Sequence, residues 1–416
     1  MTTFKIIGGQ SLHGEVKISG AKNAVLPLIA ATLLTEEPCT IKNVPEISDV
    51  PTMLEIIGTF GAEHRFESNG DLVITAANLH AATPDYDKIS QIRASVLILG
   101  PLLGRLGEAK FAEPGGCKLG ERSIDTHLHA FEALGTKIAF DGRHYDLHAD
   151  KLVGTEIVLE EISLTGTENI IMAAVLASGT TTIHLAAAEP EILNLIDALT
   201  AMGAQIEGAG THVLTIHGVA KLHGATLTTI PDRVEAATFA MAAAITKGEL
   251  TIHDYPVHSL DIVTAKLRDA GVHIQILNDH EVRVSSDGNL KATSIRTDVY
   301  PGFPTDIQPL FAALMTQAEG IRLIHETMYD SRFKYAAGFT ALGATVTELD
   351  PHRIEITGGQ KLTGTEITCP DIRGGAGLLL AALAAEGETT LNRAELIERG
   401  YSETISRLSS LGVKIS

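Results

Sequence analysis

The chain has no tryptophan, and aromatic residues are only 4 % of its 416 positions. Aromatic anchors therefore cannot dominate its interior. The core must come from Ala, Leu, Ile and Val, within a hydrophobic fraction of 44 %. Cysteine is also scarce. Cys39, Cys117 and Cys369 form an odd, widely spaced set, which excludes a disulfide framework. No Cys/His spacing suits zinc. Positive charge is outweighed, 32 Lys and Arg against 51 Asp and Glu, for a net charge of -19. Such a surface repels nucleic acid and anionic membrane. No apolar run approaches the ~20 residues of a membrane helix. The first residues read as a strand rather than a leader, so the expected compartment is the cytoplasm.

What the chain does have is a repeat. Six turns of a small or apolar residue followed by glycine occur at Gly61, Gly135, Gly203, Gly271, Gly343 and Gly412, 68 to 74 residues apart. Glycine directly after a helix is the expected left-handed cap. An Ala-rich helix, apolar on nearly every face, precedes each turn, over 24–34, 94–103, 169–177, 235–245, 307–315 and 375–385. Helices of that kind are buried. The fold class expected is α/β, with helices inside and sheets outside. Six copies divide into three and three, with a boundary between Thr228 and Pro231. The strand expected from Phe4 to Ile18 pairs with the last copy, which makes the second domain discontinuous.

Polar residues gather where the buried helices begin: Lys22 and Asn23, Arg93, Thr167 and Glu168, Arg233, Asp306, Arg373. Any one of them reads as a cap or surface residue. The recurrence points instead to an anion site, because helix N-termini present free N–H groups and partial positive charge. A glycine-rich segment, Glu113 to Arg122, interrupts the repeat and reads as a mobile loop. Cys117 lies in it between cations and is expected to be reactive. His127 and His129 raise a Cys/His hydrolase reading. Neither has an orienting partner in the sequence, so both are read as surface or supporting residues. Asp306 follows two prolines in the first turn of a buried helix, and reads equally as a dipole-stabilised carboxylate or a general base. Cys39 and Cys369 read as core.

Ser19-Gly20-Ala21-Lys22-Asn23-Ala24, Arg93-Ala94-Ser95, Pro114-Gly115-Gly116-Cys117, Phe303-Pro304-Thr305-Asp306 and Arg399-Gly400-Tyr401 together resemble the enolpyruvyl transferases, and among them those acting on UDP-N-acetylglucosamine. The likeness spans essentially the whole chain. It implies two inside-out α/β barrel-like domains with pseudo-threefold repeats, 21–230 and 1–20 plus 231–416, with the active site in the cleft between them. It implies transfer of the enolpyruvyl group of phosphoenolpyruvate to the 3-hydroxyl of the sugar nucleotide, the first committed step of peptidoglycan synthesis. By resemblance, Lys22, Cys117, Arg122 and Arg399 hold phosphoenolpyruvate, with Cys117 the general acid. Asp306 is the base and, with Asn23, contacts the amino sugar. Arg93, Arg122, Ser123, Ile124, Asp125, Ser163, Leu164, Thr165 and Met328 contact UDP-N-acetylglucosamine. Arg332, Arg373 and Arg233 are further arginines of the site. No metal or cofactor is implied, and a monomer is expected.

Three positions depart from the family pattern. Its usual Ser-Val-Gly-Ala-Thr reads Ser163-Leu164-Thr165-Gly166-Thr167, Ser123 stands where proline is usual, and Glu161 where some members carry lysine. Two alternatives stay open. One is the sister enzyme making 5-enolpyruvylshikimate 3-phosphate, which lacks the reactive cysteine loop. The other is a non-catalytic paralogue that binds sugar nucleotide and regulates a partner.

Overall fold

The computed structural model describes residues 2–112 and 123–416. It divides into two compact units, one of residues 20–112 and 123–230, the other of residues 2–19 and 231–416.

The first unit is built around the helices Lys22–Ala31, Leu99–Leu106 and Leu164–Ala174. Apart from Thr167, Glu168 and Asn169 on the third, their buried faces are mainly Ala, Leu, Ile, Val and Met, as the scarcity of aromatics requires. Sheets lie outside them. In one, Thr226–Thr228 runs parallel to Cys39–Lys42, which pairs antiparallel with Leu72–Thr75. Another repeats the order, Glu156–Val158 parallel to Thr180–His184 and then Val213–His217 antiparallel. The second and third repeats thus each end in a strand lent to another repeat, whereas the sheet of Glu108–Ala112, Lys137–Phe140 and His144–His148 is three-stranded among the described residues and receives none. Thr226–Thr228, from the last repeat of the unit, closes the set by returning to the first.

The second unit uses the helices Arg233–Ile245, Gln308–Met315 and Ile372–Ala384. Every residue of Arg233–Ile245 is buried. The N-terminal segment forms two strands rather than the expected single one, interrupted where Gly9 turns into the left-handed region at φ +77°, beside Gly8, where a Cβ would lie 2.2 Å from the Ala385 carbonyl oxygen. Thr3–Ile7 pairs antiparallel with Glu388–Asn392 of the last repeat and with Lys414–Ile415. His13–Lys17 pairs parallel with Glu249–His253. Both ends of the chain are needed to finish this unit.

All six glycines of the repeat turns have positive φ, from +88° at Gly271 to +103° at Gly343. The helices themselves start elsewhere than hydrophobicity suggests. The expected 169–177 helix begins at Leu164, because Ser163 caps it by accepting from the Gly166 amide. The segment before Leu99 is a 3-10 turn, Arg93–Ile98. In Ile372–Ala384, glycines 374, 375 and 377 have a packing reason. A Cβ on Gly377 would sit 2.7 Å from the Pro309 carbonyl oxygen, and one on Gly375 would sit 3.0 Å from Sγ of Cys369. Gly377 thus lets this helix approach Gln308–Met315 closely, while Gly374 and Gly375 let Pro370 and Cys369 lie against it.

Gly20 is similarly constrained, since a Cβ there would lie 2.0 Å from the Asn43 carbonyl oxygen. A backbone carbonyl cannot swing away as a side chain would. Gly20→Ala is expected to cost about 2–3 kcal/mol of stability, at the upper end of overpacking. Urea unfolding followed by circular dichroism checks this, and an unchanged midpoint would mean that the Asn43 turn yields.

Candidate active site

In the second unit Asp306 is held between two buried arginines. It lies in the turn before Gln308–Met315, not in the helix itself as the sequence suggests. Oδ1 accepts from Nη2 of Arg332 at 2.9 Å, and Oδ2 accepts from Nε of Arg373 at 3.2 Å. The arginine side chains are 1 % and 6 % exposed, whereas that of Asp306 is 30 % exposed. Burial alone would raise the carboxyl pKa. The charges of Arg373 and then Arg332, with their hydrogen bonds, outweigh burial and hold it far below the usual carboxylate range.

Each arginine is braced in turn. Arg332, on the 3-10 turn Arg332–Tyr335, also donates to the Thr305 carbonyl at 2.9 Å. Thr305 donates to Glu326, and Glu326 also takes the Met328 amide at 2.9 Å and the Thr297 hydroxyl. Arg373 sits in a first turn capped by Asp371, which accepts from the Arg373 and Gly374 amides. Its guanidinium stacks 5.3 Å from the Tyr401 ring centroid, and Tyr401 contacts the Thr238 hydroxyl at 3.1 Å. Arg233 follows the cap Asp232 and lies 5.7 Å from the Tyr300 ring centroid. Arg399 ends the 3-10 turn Ala394–Arg399 and is half-buried.

In the first unit Lys22 opens its helix without a side-chain cap. Its Nζ is 2.6 Å from Oδ2 of Asp49, with both side chains nearly buried. Asn23 beside it is half-buried. Arg93 donates to the Ser123 carbonyl at 2.8 Å. Ser123 accepts the Asp125 amide on its Oγ at 2.8 Å. That bond ties the turn that leads into the Asp125–Ala133 helix. The Ile124 side chain is in the core, so only its backbone remains for a ligand. Ser163, Leu164 and Thr165 lie at the start of Leu164–Ala174 and are half-buried, as is Met328 in the other unit. Glu161 is exposed.

Two expectations need correction. Thr167 and Glu168 are not at a helix start. The helix begins at Leu164, so both are buried, Thr167 accepting the Ala187 amide. Burial, followed by the charges of Glu191 and Glu189, raises the Glu168 carboxyl well above its ordinary range. His127 is not a surface residue and does have partners. It is buried against Asn169 and Thr165. His129 is exposed and pairs with Glu160. Cys39 and Cys369 are core thiols, raised by burial, Cys369 to about 12. Cys117 and Arg122 lie outside the described residues.

Sequence reasoning missed Asp49 and Glu326, both distant along the chain from what they hold. The caps Asp232 and Asp371 were readable, since each follows a proline and precedes an apolar helix. Among the described residues no three His, Cys, Asp or Glu are grouped to hold a metal, and no helix is long and apolar enough to cross a membrane.

A family model described as EPSP synthase (3-phosphoshikimate 1-carboxyvinyltransferase) matches residues 6–408. UDP-N-acetylglucosamine 1-carboxyvinyltransferases of Acidobacterium capsulatum and Paramagnetospirillum magneticum are each 42 % identical over the whole chain, covering 96 % and 98 % of their own lengths. That of Koribacter versatilis is equally similar, with 96 % of its length covered. Among solved structures, the enolpyruvyl transferase NikO from Streptomyces tendae matches with a TM-score of 0.89 at 27 % identity, covering all of this chain and 98 % of that one. EPSP synthase from Acinetobacter baumannii, at 19 % identity and a TM-score of 0.74 over the full length of both, shares the fold.

Proposed function

Because the chain belongs to the EPSP synthase family of enolpyruvyl transferases, we propose that it moves the enolpyruvyl group of phosphoenolpyruvate to the 3-hydroxyl of UDP-N-acetylglucosamine and releases phosphate, a step of peptidoglycan precursor synthesis. The observation that carries this acceptor is the 42 % identity along the whole chain to relatives named for it.

The reaction begins with a proton delivered to C3 of phosphoenolpyruvate, for which Cys117 supplies the thiol. C2 becomes an oxocarbenium carbon. The sugar 3-hydroxyl oxygen bonds to C2, and its proton passes to Asp306. A carboxylate held so far below its usual range is a poor base toward a neutral alcohol. An alcohol already bonded to a cationic carbon is strongly acidic, and a weak base is then sufficient. The same low pKa keeps Asp306 ionised and ready at any working pH. The tetrahedral adduct then loses phosphate. The C2–O bond to phosphate breaks while the C3 methyl returns a proton to the Cys117 thiolate and the Asp306 carboxyl gives its proton to the departing phosphate, which restores the double bond and both side chains.

Lys22, Arg122 and Arg399 are assigned to the anionic groups of phosphoenolpyruvate, where fixed cations stabilise developing charge. Arg332 and Arg373 hold Asp306 in place. Arg93, Asn23, Ser123 to Asp125, Ser163 to Thr165 and Met328 are assigned to the sugar nucleotide. The scheme requires no metal or cofactor.

Phosphate release from phosphoenolpyruvate tests the proposal, with UDP-N-acetylglucosamine and shikimate 3-phosphate as parallel acceptors. Release with the sugar nucleotide alone is expected. Release only with shikimate 3-phosphate would move the chain to the sister activity. Silence with both, in a protein that still binds the sugar nucleotide, would favour a regulatory paralogue.

A further inference from the structure

Asn43, Leu185, Asp254, Glu326 and Arg393 occupy one place in five copies of the repeat. Each directly follows a strand whose last carbonyl takes an amide from a neighbouring segment: Lys42 from Thr229, His184 from Leu159, His253 from Ile18, His325 from Thr297 and Asn392 from Cys369. Four of the five turn into the left-handed region, from φ +54° at Asn43 to +58° at Leu185, and their side chains are half-buried or exposed. Glu326 does neither. Its φ is not positive, and it is 0 % exposed. The repeat itself therefore does not need a buried carboxylate at this place.

Three donors converge on that carboxylate. Oε1 accepts from the Met328 amide at 2.9 Å and from Oγ1 of Thr297 at 3.0 Å, and Oε2 accepts from Oγ1 of Thr305 at 2.8 Å. The backbone behind it is fixed, because the Glu326 amide donates to the His352 carbonyl at 2.8 Å. Two of the donors belong to segments assigned to the reaction. Thr305 precedes Asp306, and its carbonyl shares Nη2 of Arg332 with the Asp306 carboxylate. Met328 is assigned to the sugar nucleotide. Thr297 belongs to the frame, where its hydroxyl also accepts the Thr327 amide at 2.9 Å. Hydrogen bonds to a carboxylate are short and strong, so the two reacting segments are tied through one rigid group.

We infer that Glu326 is a positioning residue for deprotonation of the acceptor, its carboxylate fixing the Thr305–Asp306 segment against the Met328 backbone. The inference rests on the reading of Asp306 as the proton acceptor and of Met328 as a nucleotide contact.

Steady-state kinetics with urea unfolding of Thr305→Val, Thr305→Ser and Thr297→Val test it. Valine at 305 keeps the shape and the carbonyl that holds Arg332, and removes one hydrogen bond to a charged group. It should lower kcat/KM for UDP-N-acetylglucosamine roughly tenfold, mostly through kcat, and serine should restore it to within about twofold. KM for phosphoenolpyruvate should stay the same. Thr297→Val breaks two bonds, so it should lose more stability than Thr305→Val and yet less turnover. In a Glu326→Gln background the added cost of Thr305→Val should shrink to less than about twofold, because both changes act on one bond. Unchanged kcat in Thr305→Val, a turnover loss in Thr297→Val as large as in Thr305→Val, a parallel rise in KM for phosphoenolpyruvate, or full additivity with Glu326→Gln would each overturn the inference. Wild type that releases no phosphate with UDP-N-acetylglucosamine would instead overturn the substrate reading, and this inference with it.

Discussion

Asp306→Asn is expected to lower kcat/KM by roughly 10²–10⁴-fold, the range for a lost proton acceptor. Asparagine keeps the shape but removes the charge that both buried arginines face and turns one of the two accepting oxygens into an N–H donor. Arg332 retains the Thr305 carbonyl, and Arg373 retains the Tyr401 ring. Removing one partner of a buried ion pair costs about 3–5 kcal/mol. The partial exposure of Asp306 places the loss toward the lower figure. Stability and turnover should therefore fall together, and urea unfolding separates them from misfolding. Full turnover in Asp306→Asn would eliminate it as the proton acceptor.

The sign of the pH dependence follows from the depressed carboxyl. Its contribution to stability is fully present above the ordinary aspartate pKa, about 3.9, and is lost as pH falls through the lower folded value. The gap between wild type and Asp306→Asn should thus be constant from neutrality to about pH 5 and close on stronger acidification. A gap that closes between pH 5 and 7 would contradict the two-arginine clamp.

Lys22→Ala carries the second large effect, a fall in kcat of roughly 10²–10³-fold if Lys22 meets charge that develops on phosphoenolpyruvate. The control is Asp49→Asn. The two residues form one short ion pair, so a purely structural lysine predicts equal activity losses from either change. A substrate-directed lysine predicts unequal ones. Asp49→Asn leaves the cation in place and should lose much less turnover, with most of its cost in stability. Asp49 opens the Asp49–Gly58 helix, whose dipole favours its charge, so Lys22→Ala should still fold. Equal kinetic losses would remove Lys22 from the chemistry.

Residue identity made local features readable. Only glycine turns into the left-handed region without strain, so six spaced glycines announced six helix ends, and all six have positive φ. Core cysteines were readable from their apolar neighbours. Helix starts were less readable. Hydrophobicity marks what a helix buries, whereas Ser163 sets where the Leu164–Ala174 helix begins, and this moved Thr167 and Glu168 from an imagined rim into the interior. The partners of His127 come from residues 38 and 42 positions away, and those of Asp306 from 26 and 67. Such pairs are set by how the repeats pack, which a linear pattern does not encode. The glycines after Arg373 looked like a weakness in a helix until the Pro309 carbonyl appeared against Gly377.

The use of both chain ends by one unit has a consequence for biosynthesis. Residues 20–230 can close their sheets from their own strands as soon as they leave the ribosome. Thr3–Ile7 emerges before residues 20–230, yet its neighbours Glu388–Asn392 and Lys414–Ile415 are made long after them. At about 5–20 residues per second the first strand waits tens of seconds with its hydrogen-bonding edge open, the condition under which strands recruit wrong partners. The nascent molecule is therefore most exposed to misassociation while Thr3–Ile7 awaits its partners, and a product truncated before Glu388 would carry one finished unit and one open edge.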